Sequence, residues 1–505
     1  MKLHLRAPTT ARQPTLTERI ISLWHYAKYR VKVTYVYVSF SKRPSALESI
    51  GLLLSFLGSW AVISALPDHI VRAGPALLVA LMATLLGWAI YIFQKATITN
   101  LFALAARNPS SMERLRTMMT QGMRNDYANL LLWRLYEPLI AQANSTLGGR
   151  QLQAVINAQT DQAALAVVLP AECTDKLDSL IVLQPESPEA RHLASKWATT
   201  AASRQQFMAS LRRADGFENP LGDEAGDNLV LKSLSFGSDG SLKLTTGIAT
   251  YGEIVRTSDS LINEFAVFSF IVGSPKAGSR GQPVWCENDI LRALPWRRAV
   301  HMWAQDPVRL FLEPSSRAAG VGVAVTMLPE GERQAYVARR SARVGTYPDA
   351  VHVIPAGMCN TKEGLRHPEA VLRPDYLKWT MIGELLEECY DISNLASSST
   401  DDWVADIRSE LESLGLEEFE PEFSGITIDL FNLRPEVCAV VRTRQPQAET
   451  RRMRLCWEYS PHEQVRRFSL ESPSPEALTN YVQAGLGALG LASLHLDRHG
   501  TSSRD

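Results

Sequence analysis

Two long runs without a charged residue lie close together near the N-terminus and restrict what the chain can fold into. Ile50–Leu66 (IGLLLSFLGSWAVISAL) has 17 residues and Gly74–Phe93 (GPALLVALMATLLGWAIYIF) has 20. A helix of ~20 apolar residues crosses a hydrocarbon core of ~30 Å, so the pair predicts a two-span transmembrane hairpin. Only Pro67–Ala73 separates the runs, enough for a turn outside the membrane. A buried helical hairpin of a water-soluble protein is the alternative, although charge-free runs of this length rarely occur there. Lys42 and Arg43 precede the first run, Lys95 and Arg107 follow the second, and Arg72 in the turn is balanced by Asp68. The positive-inside rule then places both termini in the cytoplasm. Gly51, Ser55, Gly58 and Ser59, with Gly74 and Gly87, allow close helix approach.

Ahead of the hairpin, Met1–Pro14 is basic and polar and reads as a loose tail. Thr17–Tyr29 predicts an amphipathic helix with Ile20, Ile21, Leu23, Trp24 and Ala27 on one side, followed by Lys28, Arg30 and Lys32. Aromatic residues beside lysine and arginine suit a membrane interface. Val31–Phe40 (VKVTYVYVSF) alternates like a strand, and its pattern does not decide its state. After the hairpin, Ser110–Leu147 reads as helical, with Pro138 kinking or ending a segment and Met112, Met118, Met119 and Met123 as packing. A boundary is expected near Gly148-Gly149, because LAVVLP and SLIVL in Gln151–Leu183 resemble buried strands. Pro185–Arg213 returns to helix, and Asp215–Asp227 is a loop.

From Asn228 strands and helices alternate. Leu229–Ser235 and Ser241–Thr250 form a hairpin, and Val321–Leu328, Ala350–Ile354, Gly425–Asn432 and Val437–Arg442 are sheet strands. Leu478–Leu494 is too rich in glycine for a third span. A chain of 505 residues holds two to four domains. The expected divisions are a basic cytoplasmic segment (1–45), the hairpin (46–95), a helical connector with a small α/β region (96–227), a larger domain (228–470), and a C-terminal helix and tail (471–505). A formal net charge of −1 argues against a broad surface for a nucleic-acid duplex. The six cysteines lie far apart without CxxC or histidine pairing, and read as thiols of a reducing compartment.

The chemistry concentrates in His352–Ile392. Glu384, Glu387 and Glu388 stand at i, i+3 and i+4, so a helix places them on one face within a turn. No lysine or arginine occurs from Trp379 to Ile392 to relieve their repulsion. Mg²⁺, which takes carboxylate oxygens, would relieve it; an acidic solvated helix face is the alternative. Ile382, Met381, Leu385 and Leu386 give this helix an apolar side. Gly357 and Glu363 precede it with five residues between them. Together these residues resemble a Nudix box, G-x5-E-x7-R-E-U-x-E-E-x-G-U with U aliphatic. Gly357 and Glu363 match its opening, and Glu384, Leu385, Glu387 and Glu388 match E-U-x-E-E. The chain departs in three ways: 19 residues follow Glu363 where the family has seven, Gly383 replaces the orienting arginine, and Tyr390 replaces the later glycine.

Outside the box, Arg256 next to Thr257, Ser258 and Asp259 suggests a phosphate contact at a helix start, with a capped helix and a structural arginine as the alternative. Arg297, Arg298 and His301 near Trp296 and Trp303 form a second nucleotide-friendly cluster, because aromatic rings stack bases and arginine grips phosphate. Arg339, Arg340 and Arg343 are a further basic run, and Glu436 a further acidic candidate for the metal site. Any of these basic runs can equally be a solvated face. Tyr251–Phe270 and Gly425–Val441 resemble flanking parts of a bacterial Nudix-like family with a long box insertion, so the likeness covers roughly Asn228–Ser469. It implies an α+β chain with a C-terminal Nudix-like α/β/α sandwich. Glu384, Glu387 and Glu388 would be Mg²⁺ ligands, catalytic if the domain is active, and Arg256, Arg297, Arg298 and Trp303 would contact ligand.

A two-span anchor followed by such a domain is similar to the membrane-anchored Nudix effectors of bacterial CBASS anti-phage systems. That resemblance implies binding of a cyclic oligonucleotide, homo-oligomerisation among membrane lipid, and disruption of the inner membrane that kills the infected cell. The competing expectation is a membrane-tethered, Mg²⁺-dependent Nudix hydrolase of a nucleoside diphosphate derivative. A scaffold with a Nudix-like fold and no ligand is a third.

Overall fold

The computed structural model describes residues 3–8, 14–40, 73–183, 227–273, 285–359, 374–392, 403–443, 453–471 and 480–500, apart from short stretches within them. The first uncharged run, Lys42, Arg43, Arg107, Glu363, Arg343 and the helix expected over Pro185–Arg213 lie outside the described residues. The fold is mixed α+β. In chain order the first strands are β1 (Leu3–Arg6), β2 (Gln153–Asn157), β3 (Gln162–Pro170), β4 (Ile181–Leu183), β5 (Asp227–Phe236) and β6 (Leu242–Thr250). Then come β7 (Gly322–Pro329), β8 (Gln334–Arg339), β9 (Val351–Val353), β10 (Ala356–Met358), β11 (Glu422–Asp429), β12 (Arg434–Thr443) and β13 (Arg466–Ser469).

Seven of them make one sheet in the order β1-β2-β3-β11-β12-β7-β10; β13-β8-β9 and β4-β6-β5 form two smaller sheets. In the large sheet only the β12–β7 pair is parallel (Val437 opposite Val323). Side chains alternate across it with period two, as a sheet buried on both faces requires. Val437, Ala439 and Val441 of β12 enter one core, and Cys438 and Val440 enter the other.

This sheet draws strands from several of the expected divisions. β3 comes from the region assigned to a separate connector, yet Thr427 of β11 pairs with its Val168. The supposed loose tail contributes β1, an edge strand paired antiparallel to β2. The hairpin expected over 229–250 forms as β5 and β6.

The labelled helices are α1 (Leu16–Phe40), α2 (Ala73–Lys95), α3 (Ile98–Ala105), α4 (Pro109–Met123), α5 (Asp126–Asn144) and α6 (Ser260–Val272). They continue with α7 (Glu287–Ala293), α8 (Pro295–Ala304), α9 (Tyr376–Tyr390), α10 (Trp403–Leu414) and α11 (Gln483–Gly500). α11 covers one sheet face, with Leu486, Ala488, Leu489 and Leu491 in its core. Its glycines explain themselves here. A Cβ at Gly487 would overlap Thr427 of β11, and one at Gly485 would stand 2.8 Å from His352 Nδ1. The stretch is glycine-rich because a helix lies close on a sheet.

The opposite face carries α9, α5 and α6, continuous with the packing of α1, α3 and α4. α4 and α5 part at Asn125, whose side chain caps α5 by accepting from Tyr127 N at 3.2 Å, while Pro138 sits inside the helix. At Gly122, α4 crosses α6 so closely that a Cβ would overlap Ala266 O; Ser269 Oγ donates to Gly122 O at 2.5 Å. The four methionines of α4 do pack: Met112 and Met118 are buried, and Met119 and Met123 lie against the same core.

The undecided stretch Val31–Phe40 is the second half of α1. Its alternation fails as a strand signal because Tyr29, Val33, Tyr37 and Phe40 fall on one helical stripe and bury there. Tyr29 rests on Phe268 and Trp285, and its hydroxyl donates to Ala293 O at 3.2 Å. Arg30 Nη1 donates to Ala96 O at 2.7 Å, tying α1 to the end of α2. Among the described residues no single helix is long and apolar enough to cross a membrane. Val79–Lys95 and Ile98–Ala105 meet that test only together, bent by 87°.

Candidate functional site

Of the residues matched to the box, Glu384 and Glu388 meet β10. This strand is three residues long, and α9 packs across it and β7. Gly357 pairs with Val323 and lies directly under the Glu384 carboxylate, where any Cβ would overlap the acid. Glycine is needed for close approach, not for backbone freedom. One turn on, Glu388 is buried, and its Oε2 accepts from Ala356 N at 2.7 Å and from Tyr459 Oη at 2.9 Å. Burial pushes its carboxyl up to about 8 with help from the Glu458 charge, while the Ala356 amide, Arg340 and Tyr459 act the other way. Arg340 in turn pairs with Glu458 at 3.1 Å. Glu387, between them on the helix, is exposed.

A third carboxylate joins from β12. Glu436 stands opposite Gly322, which stands opposite Met358, so three adjacent strands align these residues in one row. A Cβ at Gly322 would lie 2.8 Å from Glu436 Cγ. Glu436 Oε2 is buried without a hydrogen-bond partner, and burial raises this carboxyl to about 7 against the pull of Arg434. Arg434 itself pairs with Asp259 at 2.9 Å and touches the Met358 sulfur. Burial pushes the Cys359 thiol up, and the nearby Glu384 and Glu436 charges, both close to the end of β10, push it further. Beyond them Tyr347 donates to Asp429, whose carboxyl burial raises to about 6. The result is a recessed acidic group at one end of the sheet, bordered by Arg340 and Arg434.

This arrangement does not fit the simple three-ligand Mg²⁺ set. Among the described residues no group of three His, Cys, Asp or Glu side chains is placed to hold a metal ion. Glu388 Oε2 is already engaged by Ala356 and Tyr459, and Glu387 lies on the outer side of the helix. Gly383, where the family has arginine, has only Ile407 Cδ1 near, at 3.8 Å, so nothing in the packing requires a glycine there.

The expected ligand contacts are placed differently. Thr257 and Ser258 do not start a helix. Thr250 does, through a capping box with Glu253, and the helix runs on through a π turn at Val255–Asp259 into α6. Thr257 Oγ1 accepts from Ala318 N at 2.9 Å and Ser258 Oγ donates to Ala318 O at 2.9 Å, so both hydroxyls hold a neighbouring loop. Arg256 therefore lacks the free backbone N–H groups expected beside it; its side chain lies outside the described residues.

Arg297 is a core residue. It is fully buried, donating to Leu430 O at 2.9 Å, Phe431 O at 2.5 Å, Leu261 O at 3.3 Å and the Tyr136 hydroxyl. Its backbone N–H and that of Trp296 donate to the buried Glu264 carboxylate at 3.0 and 2.5 Å. His301, beside it, is pushed down to about 3 by burial, Arg297 and Arg317, and is neutral. Arg298 is exposed and Trp303 half-buried, so the expected cluster splits between core and surface. Sequence reasoning gave no warning of Arg317, whose buried guanidinium donates to Leu433 O at 2.9 Å. No family model matches the chain, and no characterised protein matches it in sequence.

Proposed function

We propose that this chain is a membrane-anchored effector of a CBASS-type anti-phage system. Its Nudix-like α/β half binds a cyclic oligonucleotide, the chains oligomerise, and the two-span hairpin disrupts the bacterial inner membrane, causing abortive infection. One observation favours sensing over hydrolysis. Glu388, a ligand position in the box, is buried and hydrogen-bonded to Ala356 and Tyr459, a state suited to a protonated, structural carboxyl. The acidic end of the sheet also contacts α6 through Asp259, and α6 carries the packing of α1 and α4. A ligand there can shift an assembly equilibrium only through differential affinity for the two states.

The alternative, a membrane-tethered Mg²⁺-dependent hydrolase of a nucleoside diphosphate derivative, draws on Glu384 over Gly357, the one box contact the described residues retain. Calorimetry of the detergent-solubilised full chain with cyclic di- and trinucleotides separates the two readings. Saturable binding of a cyclic oligonucleotide, recovered uncut, supports the sensor. Metal-dependent turnover of a diphosphate substrate, abolished by Glu387→Gln, supports the enzyme.

A further inference from the structure

The large apolar side chains left exposed are not scattered. Among the described residues they are Leu16, Ile20, Ile21, Leu23, Trp24, Val31, Tyr35 and Val38 of α1, eight more on α2, and otherwise only Phe270 and Met302. Single exposed apolar residues need no explanation, but contiguous ones mark an interaction surface. On α1 the sequence Leu16, Ile20, Trp24, Ala27, Val31, Tyr35, Val38 steps by three or four, so these residues form one continuous stripe. It lies apart from the Ser22–Tyr29–Val33–Tyr37 stripe that packs inward.

Charge identifies the occupant. Arg19, Lys28 and Lys32 are exposed along the helix, and Glu18 is its only acid. Lys28 stands 5.0 Å over the Trp24 ring and Lys95 5.7 Å over the Tyr91 ring, the pairing of cation and aromatic found where headgroups meet hydrocarbon. The stripe is joined to α2 by Arg30, which donates to Ala96 O and lies 4.8 Å from the Phe93 ring.

We infer that the outer face of α1, from Leu16 to Val38, is a second membrane contact, outside the two uncharged runs, that takes an anionic phospholipid surface. It rests on the membrane location proposed above but not on the cyclic oligonucleotide. It also fixes the soluble half against the bilayer. Ser22 Oγ donates to Asp289 at 2.5 Å and accepts from Cys286 N at 2.6 Å, and Lys32 Nζ donates to Val272 O at 3.0 Å.

The test places the photo-crosslinking residue p-benzoylphenylalanine at Trp24, Val31 or Leu86 of the full chain. Each protein is reconstituted in mixed phosphatidylglycerol and phosphatidylcholine vesicles and irradiated, and adducts are read by mass spectrometry. Expected are phospholipid adducts at all three positions, enriched in phosphatidylglycerol at 24 and 31 but not at 86. Lipid adducts at 86 with none at 24 and 31 would overturn this inference alone. So would protein–protein adducts at 24 and 31, which would mean that a second copy or another part of the chain covers the stripe. Equal capture of both lipids at 24 and 31 would overturn the anionic preference. Absence of lipid at 86 would instead overturn the membrane anchor.

Discussion

α8 and α9 each bring a cluster of like charges to the same side of the sheet, and the protein treats them in opposite ways. On α8 the chain splits its arginines. Arg297 goes fully inside, where three carbonyls and a phenol accept from it, and Arg298 stays in water. On α9 the buried member, Glu388, keeps two donors but faces Glu458 as well, and Glu436 nearby has a buried oxygen without a partner. Buried charges are tolerated when most of their hydrogen-bonding capacity is met and are costly otherwise; Arg297 leaves only Nε without a partner. The arginine cluster is therefore structural, and the incompletely satisfied carboxylate cluster is where a ligand, proton or cation has something to supply.

Removing Arg297 gives the largest effect. Arg297→Met leaves four buried acceptors without their donor, which should cost roughly 3–5 kcal/mol of stability. Arg298→Ala should stay within about 0.5 kcal/mol, as exposed positions do. Chemical denaturation of both variants checks the pair; equal effects would erase the contrast between core and surface arginine.

Gly357→Ala acts on the site more than on the fold. The new methyl meets the far end of the half-exposed Glu384 side chain, which can swing away at about 1 kcal/mol, the low end for overpacking, with loss of whatever Glu384 binds. Unchanged binding of every cyclic nucleotide that the parent binds would show that Glu384 takes no part in the site.

The Glu388 carboxyl has a directional pH effect. Its pKa is raised in the fold to about 8 from an ordinary ~4.3, so the fold favours its protonated form. Its contribution is full below pH ~4.3 and is lost as pH climbs through about 8. Glu388→Gln should thus gain stability relative to the parent as pH rises from 5 to 8, by at most about 1.4 kcal/mol per pH unit, read from melting curves across that range. A parent whose stability rises over the same range relative to the variant would contradict the buried-acid account. The smallest effect belongs to Gly383→Ala. It should stabilise α9 by up to ~1 kcal/mol, since the site is open and glycine is a poor helix former.

Much of the sheet was legible in the sequence. Val321–Leu328 and Val437–Arg442 are apolar runs of strand length, and they appear as β7 and β12 within a residue or three. Glu384 lies over Gly357, a contact that the sequence reading did not name. What stayed hidden depends on partners distant in the chain. β1 is four residues that mean nothing without β2, more than 140 positions away. Arg297 reads as a nucleotide contact because its burial is decided by the turn between β11 and β12. The α6 start was misread because Thr257 and Ser258 look like caps, while the working box opens at Thr250, seven residues before Thr257, and pairs it with Glu253. Val31–Phe40 misled by composition and period: eight of its ten residues are β-branched or aromatic, but the helix begun at Leu16 carries through them.

In the proposed role a cyclic oligonucleotide drives this chain to breach a membrane. Dye release from vesicles holding the full chain tests it most directly, with cyclic di- and trinucleotides added singly. At least one should trigger release, in steep dependence on protein density, while its linear counterpart does not, and Gly51→Leu with Gly58→Leu should abolish release without loss of binding. Release that is equal with and without every cyclic nucleotide, or absent with all of them while a diphosphate substrate is turned over, would contradict the account.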